Sequence, residues 1–194
     1  MVGNTKLLML VGAATPPGRL AAAVNFAAES AATLADDIAI DVLNLADTPV
    51  DICDGRSNEK YNESTRDAVG RIVAARTVLI AAPVYRATYP GVLKNLLDIA
   101  PVEALQNKPV GLVAMGGSPH HYLAVDTQLR AVLAWFGALV APTGVYITGG
   151  DFKDGKLASE GALKDLAALV DTLAGLRGLD PASLGPIPLA ARFT

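Results

Sequence analysis

The stretch TVLIAAPVYRATYPGVLKNLLD (residues 77–98) decides the fold. Its first six residues are almost continuously apolar, which is typical of a strand that is covered on both faces. A loop with Arg86 between two tyrosines follows, and a segment with helical spacing begins at Pro90-Gly91. A buried strand that leads directly into a helix predicts one unit of a parallel α/β sheet.

The same strand and helix alternation runs along the whole chain. The other apolar runs of strand length are residues 7–11, 38–43, 110–115 and 139–147. The segments of helix length are residues 20–34, 63–75, 91–98, 122–136 and 157–173. Because parallel neighbours need crossover helices, this order predicts a doubly wound, five-stranded parallel sheet with helices on both faces. We expect one domain over residues 1–175, and an extended or flexible arm over residues 176–194, where prolines and glycines lack periodicity.

Composition excludes several classes of function. The chain has 194 residues, a net charge of −3 and 52% hydrophobic residues, enough to bury a sizeable core. It has no basic stripe, which argues against nucleic acid as a partner, and no apolar run long enough to suggest a membrane span. The lone Cys53 excludes an internal disulfide framework and predicts a cytoplasmic location.

Three loops are expected at one edge of the sheet, where open α/β sheets bind their ligands. They follow the first, third and fourth apolar strands and cover residues 11–19, 82–91 and 114–121. All three are rich in glycine, proline, hydroxyl or aromatic residues. That composition predicts a binding site at the carboxyl ends of these strands.

The first loop, VGAATPPGR, has groups that suit a phosphate. Thr15 offers a hydroxyl, Gly18 allows close approach of the backbone, and Arg19 offers a positive charge at the start of a helix. The loop matches neither the Walker A pattern nor G-x-G-x-x-G. A tight turn with Arg19 in solvent explains the same residues equally well.

The second and third loops suit a flat ligand. Pro83 and Val84 offer apolar contact, and Tyr85 and Arg86 offer a ring and a planar cation. The tyrosines could equally pack against a helix or a second subunit. In the third loop, Gly116-Gly117-Ser118 lets backbone amides approach a planar molecule. A phosphate end and a flat aromatic end together predict a pocket for flavin mononucleotide (FMN).

Two longer strings carry a family resemblance: PVYRATYPGVLKNLLD (83–98) and GGSPHHYLAVDTQL (116–129). They resemble the flavodoxin-like NAD(P)H-dependent FMN reductases, in particular those that supply reduced flavin to alkanesulfonate monooxygenases. The resemblance implies a sheet order of 2-1-3-4-5, FMN as cofactor, and NADPH or NADH as the donor of a hydride to flavin N5. It also implies a homodimer or homotetramer and a flavin-dependent monooxygenase as a partner.

The resemblance assigns roles to individual residues. The isoalloxazine ring would be lined by Pro83, Val84, Tyr85 and Arg86. It would be approached from the next loop by Gly116, Gly117 and Ser118, with His121 in a supporting position. No side chain is expected to act as a catalytic acid or base, because the cofactor carries the chemistry.

The first loop departs from the family pattern. The family usually has G-S-x-R-x-x-S, whereas this chain has Ala13, Thr15 and Gly18 at the serine, arginine and serine positions. Loss of charge-assisted phosphate contacts predicts weaker retention of FMN, with partial recovery by Arg19 or by backbone amides. A reductase that releases flavin as a product would tolerate such a loop.

Two other functions are compatible with the sequence. One is a quinone, azo or chromate reductase that keeps FMN bound; the other is a flavodoxin-like electron carrier. A metal site is not expected, because His120 and His121 are adjacent rather than one helical turn apart. Oligomerisation is expected, because the helices predicted at 91–98 and 122–136 have more apolar surface than one sheet face needs.

Overall fold

The computed structural model describes residues 5–34, 38–179 and 184–188. Its central sheet has the order β2-β1-β3-β4-β5, with β6 also paired to β4, and all pairs are parallel. This confirms the predicted flavodoxin-like order 2-1-3-4-5. The strands are β1 (Thr5–Val11), β2 (Ile38–Asn44), β3 (Thr77–Pro83), β4 (Pro109–Gly116), β5 (Leu139–Val140) and β6 (Val145–Thr148).

The predicted fifth strand, residues 139–147, is divided into β5 and β6. Both lie along the same edge of β4, and residues 141–144 bulge opposite residues 111–112. The bulge contains Pro142, which has no N–H group for strand pairing. Arg130 stabilises the bulge, since its Nη2 donates hydrogen bonds to the carbonyl oxygens of Ala141 (2.8 Å) and Pro142 (3.1 Å).

Helices cover both faces of the sheet, as predicted. One face packs against the first and last helices, and the other face packs against the three helices between them. Each helix begins and ends within three residues of its predicted bounds. The helices are α1 (Arg19–Leu34), α2 (Glu63–Ala74), α3 (Gly91–Ile99), α4 (Ala124–Phe136) and α5 (Glu160–Leu176).

Strand β3 shows why its sequence is apolar throughout. Successive side chains of a strand point to opposite faces. Leu79 and Ala81 therefore pack beneath α1 and α5, whereas Ile80 packs beneath α2 to α4. All three are at most 1% exposed. Burial of a leucine or isoleucine side chain stabilises the fold by about 2 kcal/mol, which makes β3 a central support for the loop that follows it.

A short hairpin precedes α5 and was not predicted. It pairs β7 (Phe152–Lys153) with β8 (Lys156–Leu157). Asp154 and Gly155 form its turn, and both have positive φ angles, of 51° and 77°. Because residue 157 belongs to this hairpin, α5 begins three residues later than predicted.

The end of α5 lies one residue beyond the predicted domain boundary at 175. Parts of the predicted arm, residues 180–183 and 189–194, lie outside the described residues. Pro188 contacts the end of α4, since a Cβ atom at Gly137 would lie 2.4 Å from Pro188 Cγ. Among the helices of the described ranges, none is both long and apolar enough to cross a bilayer.

Candidate functional site

Three loops meet at the carboxyl edge of the sheet, as the parallel order requires. They follow β1, β3 and β4, which are adjacent strands. Two hydrogen bonds continue the sheet into the loops: Gly12 N donates to Ala81 O, and Val84 N donates to Met115 O, both at 2.8 Å. The first residues of the first two loops are therefore held by the adjacent strands.

A cavity of about 330 Å³ opens between the first loop and the end of β3. It brings together the predicted residues Thr15, Gly18, Arg19 and Pro83. The other lining residues are Val11, Ala13, Pro16, Pro17, Leu20, Ala21, Asn44 and Met115. The predicted phosphate loop therefore shares one cavity with the start of the predicted ring-binding loop.

Arg19 is the sole charged residue among those lining this cavity. It is the first residue of α1, and its side chain reaches the turn after β6. A Cβ atom added to Gly149 there would lie 3.1 Å from Arg19 Nη1. No ion pair joins Arg19 to an acidic side chain of the described residues. A helix N-terminus and an uncompensated cation in one cavity favour an anion.

The first loop is fixed against α3 at its beginning. A Cβ atom at Gly12 would lie 2.9 Å from Leu93 Cδ2 and 3.0 Å from Leu93 Cβ, so this close approach requires glycine. Ala13, which stands at the family's serine position, is only 6% exposed and packs in the core beneath α1 and α5. Thr15 is exposed, so its hydroxyl remains available for a ligand.

The second loop is a two-residue hairpin turn. Tyr85 N donates to Thr88 O at 2.8 Å, and Thr88 N donates to Tyr85 O at 3.1 Å. The residues between them, Arg86 and Ala87, have positive φ angles of 50° and 64°. Such turns favour asparagine and glycine, and each left-handed residue with a side chain costs about 1 kcal/mol. Strain of this kind is concentrated at functional sites, where surrounding structure maintains it.

The side chains of the second loop point in different directions. Tyr85 is 43% exposed and Arg86 is exposed, and neither lines the cavity. Val84 and Tyr89 pack against the core beneath α2 to α4. Burial raises the pKa of the Tyr89 phenol. The sequence left a packing role open for the tyrosines, and Tyr89 has that role.

The third loop is held by Tyr146 of β6. The Tyr146 hydroxyl donates a 2.6 Å hydrogen bond to the carbonyl oxygen of Ser118. A Cβ atom at Gly116 would lie 1.8 Å from Tyr146 Oη, so only glycine fits beneath this side chain. Gly117 is exposed. Gly117 therefore presents its backbone, whereas Gly116 is buried, and the cavity is lined by none of Gly116, Gly117 and Ser118.

His121 lies apart from the cavity. It ends a 3-10 turn, Pro119–His121, and is exposed together with its neighbour His120. No group of three or more histidine, cysteine or acidic side chains within the described ranges is arranged to hold a metal ion. The structure supplies no contact that tests the predicted supporting role of His121.

Three residues of this region were missed in the sequence: Asn44, Met115 and Tyr146. Asn44 ends β2, lines the cavity, accepts a hydrogen bond from Ala46 N and donates one to Asp47. Met115 lines the cavity from the end of β4. Position at a strand end is the signal that could have found Asn44 and Met115, whereas the contact of Tyr146 depends on a distant loop.

Comparison with known proteins decides the family. The profile of the NADPH-dependent FMN reductases matches residues 5–153. This chain belongs to that family. An FMN reductase (NADPH) of Escherichia coli is 34% identical over 146 residues, which are 73% of this chain and 72% of the relative.

Another relative matches over a shorter segment. An NAD(P)H-dependent FAD/FMN reductase of Geobacillus thermodenitrificans is 38% identical over 110 residues, which are 57% of this chain. The match spans 60% of the length of that relative. Among solved structures, the apo form of an NADH:FMN oxidoreductase, EmoB, superposes with a TM-score of 0.75 at 23% identity. That match covers 93% of this chain and 94% of the other, and it supports the shared fold.

Proposed function

We propose that this member of the family catalyses the reduction of FMN by NADH or NADPH. The observation that carries the proposal is the cavity beside the N-terminus of α1, where Arg19 and Thr15 lie across from Pro83. An anion-binding end that continues into an apolar wall suits a ligand with a phosphate and a flat ring. The names of the family and of its relatives support FMN and a nicotinamide nucleotide as the ligands.

In this proposal, the phosphate of FMN binds at the first loop. Arg19 supplies the positive charge, Thr15 supplies a hydroxyl, and the exposed backbone at Gly18 supplies close approach. Because Ala13 is buried and its side chain has no hydroxyl group, the loop has fewer side-chain contacts for a phosphate than the family pattern provides. FMN is accordingly expected to exchange between protein and solution rather than to remain bound.

The ring of FMN then lies between the second and third loops. Pro83, Val84, Tyr85 and Arg86 are proposed for one side. On the other side we propose Gly116, Gly117 and Ser118, with His121 near the rim. When bound, FMN supplies the redox chemistry by accepting a hydride at N5. The protein contributes orientation of the two nucleotides and exclusion of water, and needs no catalytic acid.

Reduced flavin that leaves the protein needs an acceptor. We propose that a flavin-dependent monooxygenase receives it, on the resemblance to the reductases of alkanesulfonate oxidation. The weakened phosphate loop supports release, since a flavin held by fewer charge-assisted bonds dissociates faster.

The reductase is further proposed to be a homodimer, alone or paired into a homotetramer, through α3 and α4. A groove of about 480 Å³ between these helices is lined by Leu97, Val132 and Trp135. Trp135 is 54% exposed, an unusual position for a large aromatic side chain. Leu97 lines the groove but is 2% exposed and belongs to the core, so Trp135 is the residue whose removal tests the interface.

The deciding experiment is oxidation of NADH and NADPH by the purified protein, with free FMN titrated from zero. Saturable dependence of the rate on added FMN supports the proposal. Turnover without added FMN by a yellow protein would point instead to a reductase that retains its flavin. No oxidation with either nucleotide at saturating FMN would reject the proposed activity.

A further inference from the structure

The hydroxyl of Tyr146 fixes one peptide group of the third loop. Its hydrogen bond to the carbonyl oxygen of Ser118 is 2.6 Å long, within the usual range for hydroxyl donors. The tyrosine is half-buried and packs against the core beneath α2 to α4. The position of the hydroxyl is therefore set by packing of the ring, not by the loop that it holds.

Strand geometry directs this side chain. In β6, Val145 and Ile147 belong to the core beneath α1 and α5, so Tyr146 points to the opposite face. It pairs with Ala114 of β4. The side chain then reaches along β4 and over Gly116, where a Cβ atom would lie 2.8 Å from Tyr146 Cζ. The missing side chain at Gly116 thus makes room for the tyrosine that holds Ser118.

Two anchors leave a single free residue between them. Gly116 is paired with Thr148 in the sheet, and Ser118 is held by Tyr146. Gly117, between them, is exposed, and no atom beyond its two chain neighbours lies within 4 Å of the position that its Cβ would take. The hydrogen bond from Tyr146 fixes the Ser118–Pro119 peptide group. The two peptide groups that flank Gly117 therefore lie between this fixed group and a residue paired in the sheet before any ligand binds, which reduces the entropy lost on binding.

The hydroxyl also remains a donor under ordinary conditions. Burial raises the pKa of Tyr146 above its usual value near 10. The phenol therefore stays protonated at neutral and moderately alkaline pH, and the hydrogen bond to Ser118 persists over that range.

We propose that Tyr146 is a positioning residue for the flavin ring: it holds Ser118, and so orients the Gly117–Ser118 backbone that contacts the ring edge. This inference rests on the proposed function and deepens it, because it assigns ring affinity to a strand residue outside all three loops. The phosphate end of FMN lies at the first loop and is not affected by this residue. Loss of the hydroxyl should therefore weaken every flavin equally, with or without a phosphate.

The test is Tyr146→Phe, which keeps the ring and removes the donor. Dissociation constants for FMN and for riboflavin are measured by quenching of flavin fluorescence. Loss of one hydrogen bond predicts an increase of roughly three- to tenfold for both flavins. The KM for FMN should rise with them, while kcat at saturating FMN stays near that of the unsubstituted protein. Tyr61→Phe is the matched control, because the Tyr61 hydroxyl lies 3.4 Å from Asp54 in a different loop.

A second measurement separates positioning from general stability. The NMR order parameters of the Gly117 and Ser118 amides, measured in flavin-free protein, should be lower in Tyr146→Phe and unchanged in Tyr61→Phe. Unchanged order parameters at these two amides would overturn the inference even if the variant is less stable. The inference would also be overturned if the dissociation constants of Tyr146→Phe were unaltered, or if only the affinity for FMN were lost. A fall in kcat without a change in flavin affinity would overturn it as well. Failure of the unsubstituted protein to bind either flavin would instead reject the proposed function, and the inference with it.

Discussion

The ammonium group of Lys108 donates a 2.6 Å hydrogen bond to the carbonyl oxygen of Val73, in the last turn of α2. A second bond, of 3.0 Å, reaches the carbonyl oxygen of Ile72. The last carbonyls of a helix lack partners within the helix and carry its partial negative charge. Lys108 therefore caps α2 from the residue just before β4, at the edge opposite the candidate site.

The environment of Lys108 makes stability depend on pH. Burial, and then the positive charge of Arg76, lower the pKa of Lys108 to about 8. Between this value and the unfolded value near 10.4, the unfolded chain binds more protons than the folded one. The free energy of unfolding therefore rises with pH over this interval.

Replacement of Lys108 by methionine should abolish that rise. The unfolding free energy of the unsubstituted protein, relative to Lys108→Met, should increase by about 1 kcal/mol from pH 8 to pH 10, after allowance for solvent screening. Urea unfolding at several pH values measures it. Lys164→Met, at an exposed position of α5, is the control and should give a constant difference. A constant difference for Lys108→Met as well would contradict the assignment.

Asp41 should stabilise the edge of the sheet by an ion pair. Its carboxylate accepts a 3.1 Å hydrogen bond from Arg71 Nε and lies 3.0 Å from Lys6 Nζ. The bond from Arg71 is the main cause that lowers the pKa of Asp41. Asp41→Asn should reduce the unfolding free energy at pH 7 by about 1–2 kcal/mol.

The sign of the pH dependence follows from the lowered pKa of Asp41. Stability from this carboxylate is complete above its unfolded pKa near 3.9 and is lost as the pH falls through the folded value. The difference between Asp41→Asn and the unsubstituted protein should thus shrink in acid. Asp67→Asn is the control, since Asp67 is exposed and lies 3.9 Å from Arg71. An equal loss in both variants would show that the charge of Asp41 has no special role.

Ala87→Gly should stabilise the protein. Ala87 has a φ angle of +64°, a conformation that glycine adopts without the cost of about 1 kcal/mol that a Cβ atom imposes. Because glycine also gains entropy in the unfolded chain, we expect a net gain of about 0.5 kcal/mol. Ala167→Gly, at an exposed position inside α5, should lose about 1 kcal/mol. Thermal unfolding compares the two, and equal losses would refute strain at Ala87.

Arg19→Gln should weaken binding of the flavin phosphate without affecting binding of the flavin ring. Loss of the charge removes a phosphate contact, so the dissociation constant for FMN should rise by about tenfold while that for riboflavin stays the same. The loss should be smaller at high salt, because ions screen the exposed pair. Fluorescence quenching measures both flavins, with Arg66→Gln on α2 as the control. An equal loss of riboflavin binding would show that Arg19 does not act by contacting the phosphate.

Trp135→Lys should disrupt association of subunits. Burial of a tryptophan contributes strongly at the centre of interfaces, and a charge placed there would be costly. Sedimentation analysis should give a mass close to 20 kDa for the variant and a multiple of it for the unsubstituted protein. Val73→Lys, at a position on α2 that is 43% exposed, should leave the mass unchanged. An unaltered mass in Trp135→Lys would show that the groove between α3 and α4 is not the subunit interface.

The sequence was sufficient for the sheet order and the helices, and it was insufficient for details that depend on distant contacts. Strand β3 was predicted because both of its faces need apolar side chains. The run 139–147 was predicted as one strand because Pro142 lies among apolar residues, and the bulge depends on Arg130 of another element. Arg19, which lines the cavity, was predicted from its position at a helix start. The contact of Tyr146 with Ser118 was not predicted, because the two residues are 28 positions apart in the chain.

The divided fifth strand protects one side of the molecule from aggregation. An exposed sheet edge offers unpaired backbone groups to another chain, and long straight edges are the most exposed to this hazard. Here the edge consists of two pieces of two and four residues, and Arg130 already bonds to carbonyl oxygens of the bulge between them. A foreign strand would find no continuous row of free groups. The protein can therefore have an almost wholly apolar border strand and still resist edge-to-edge association.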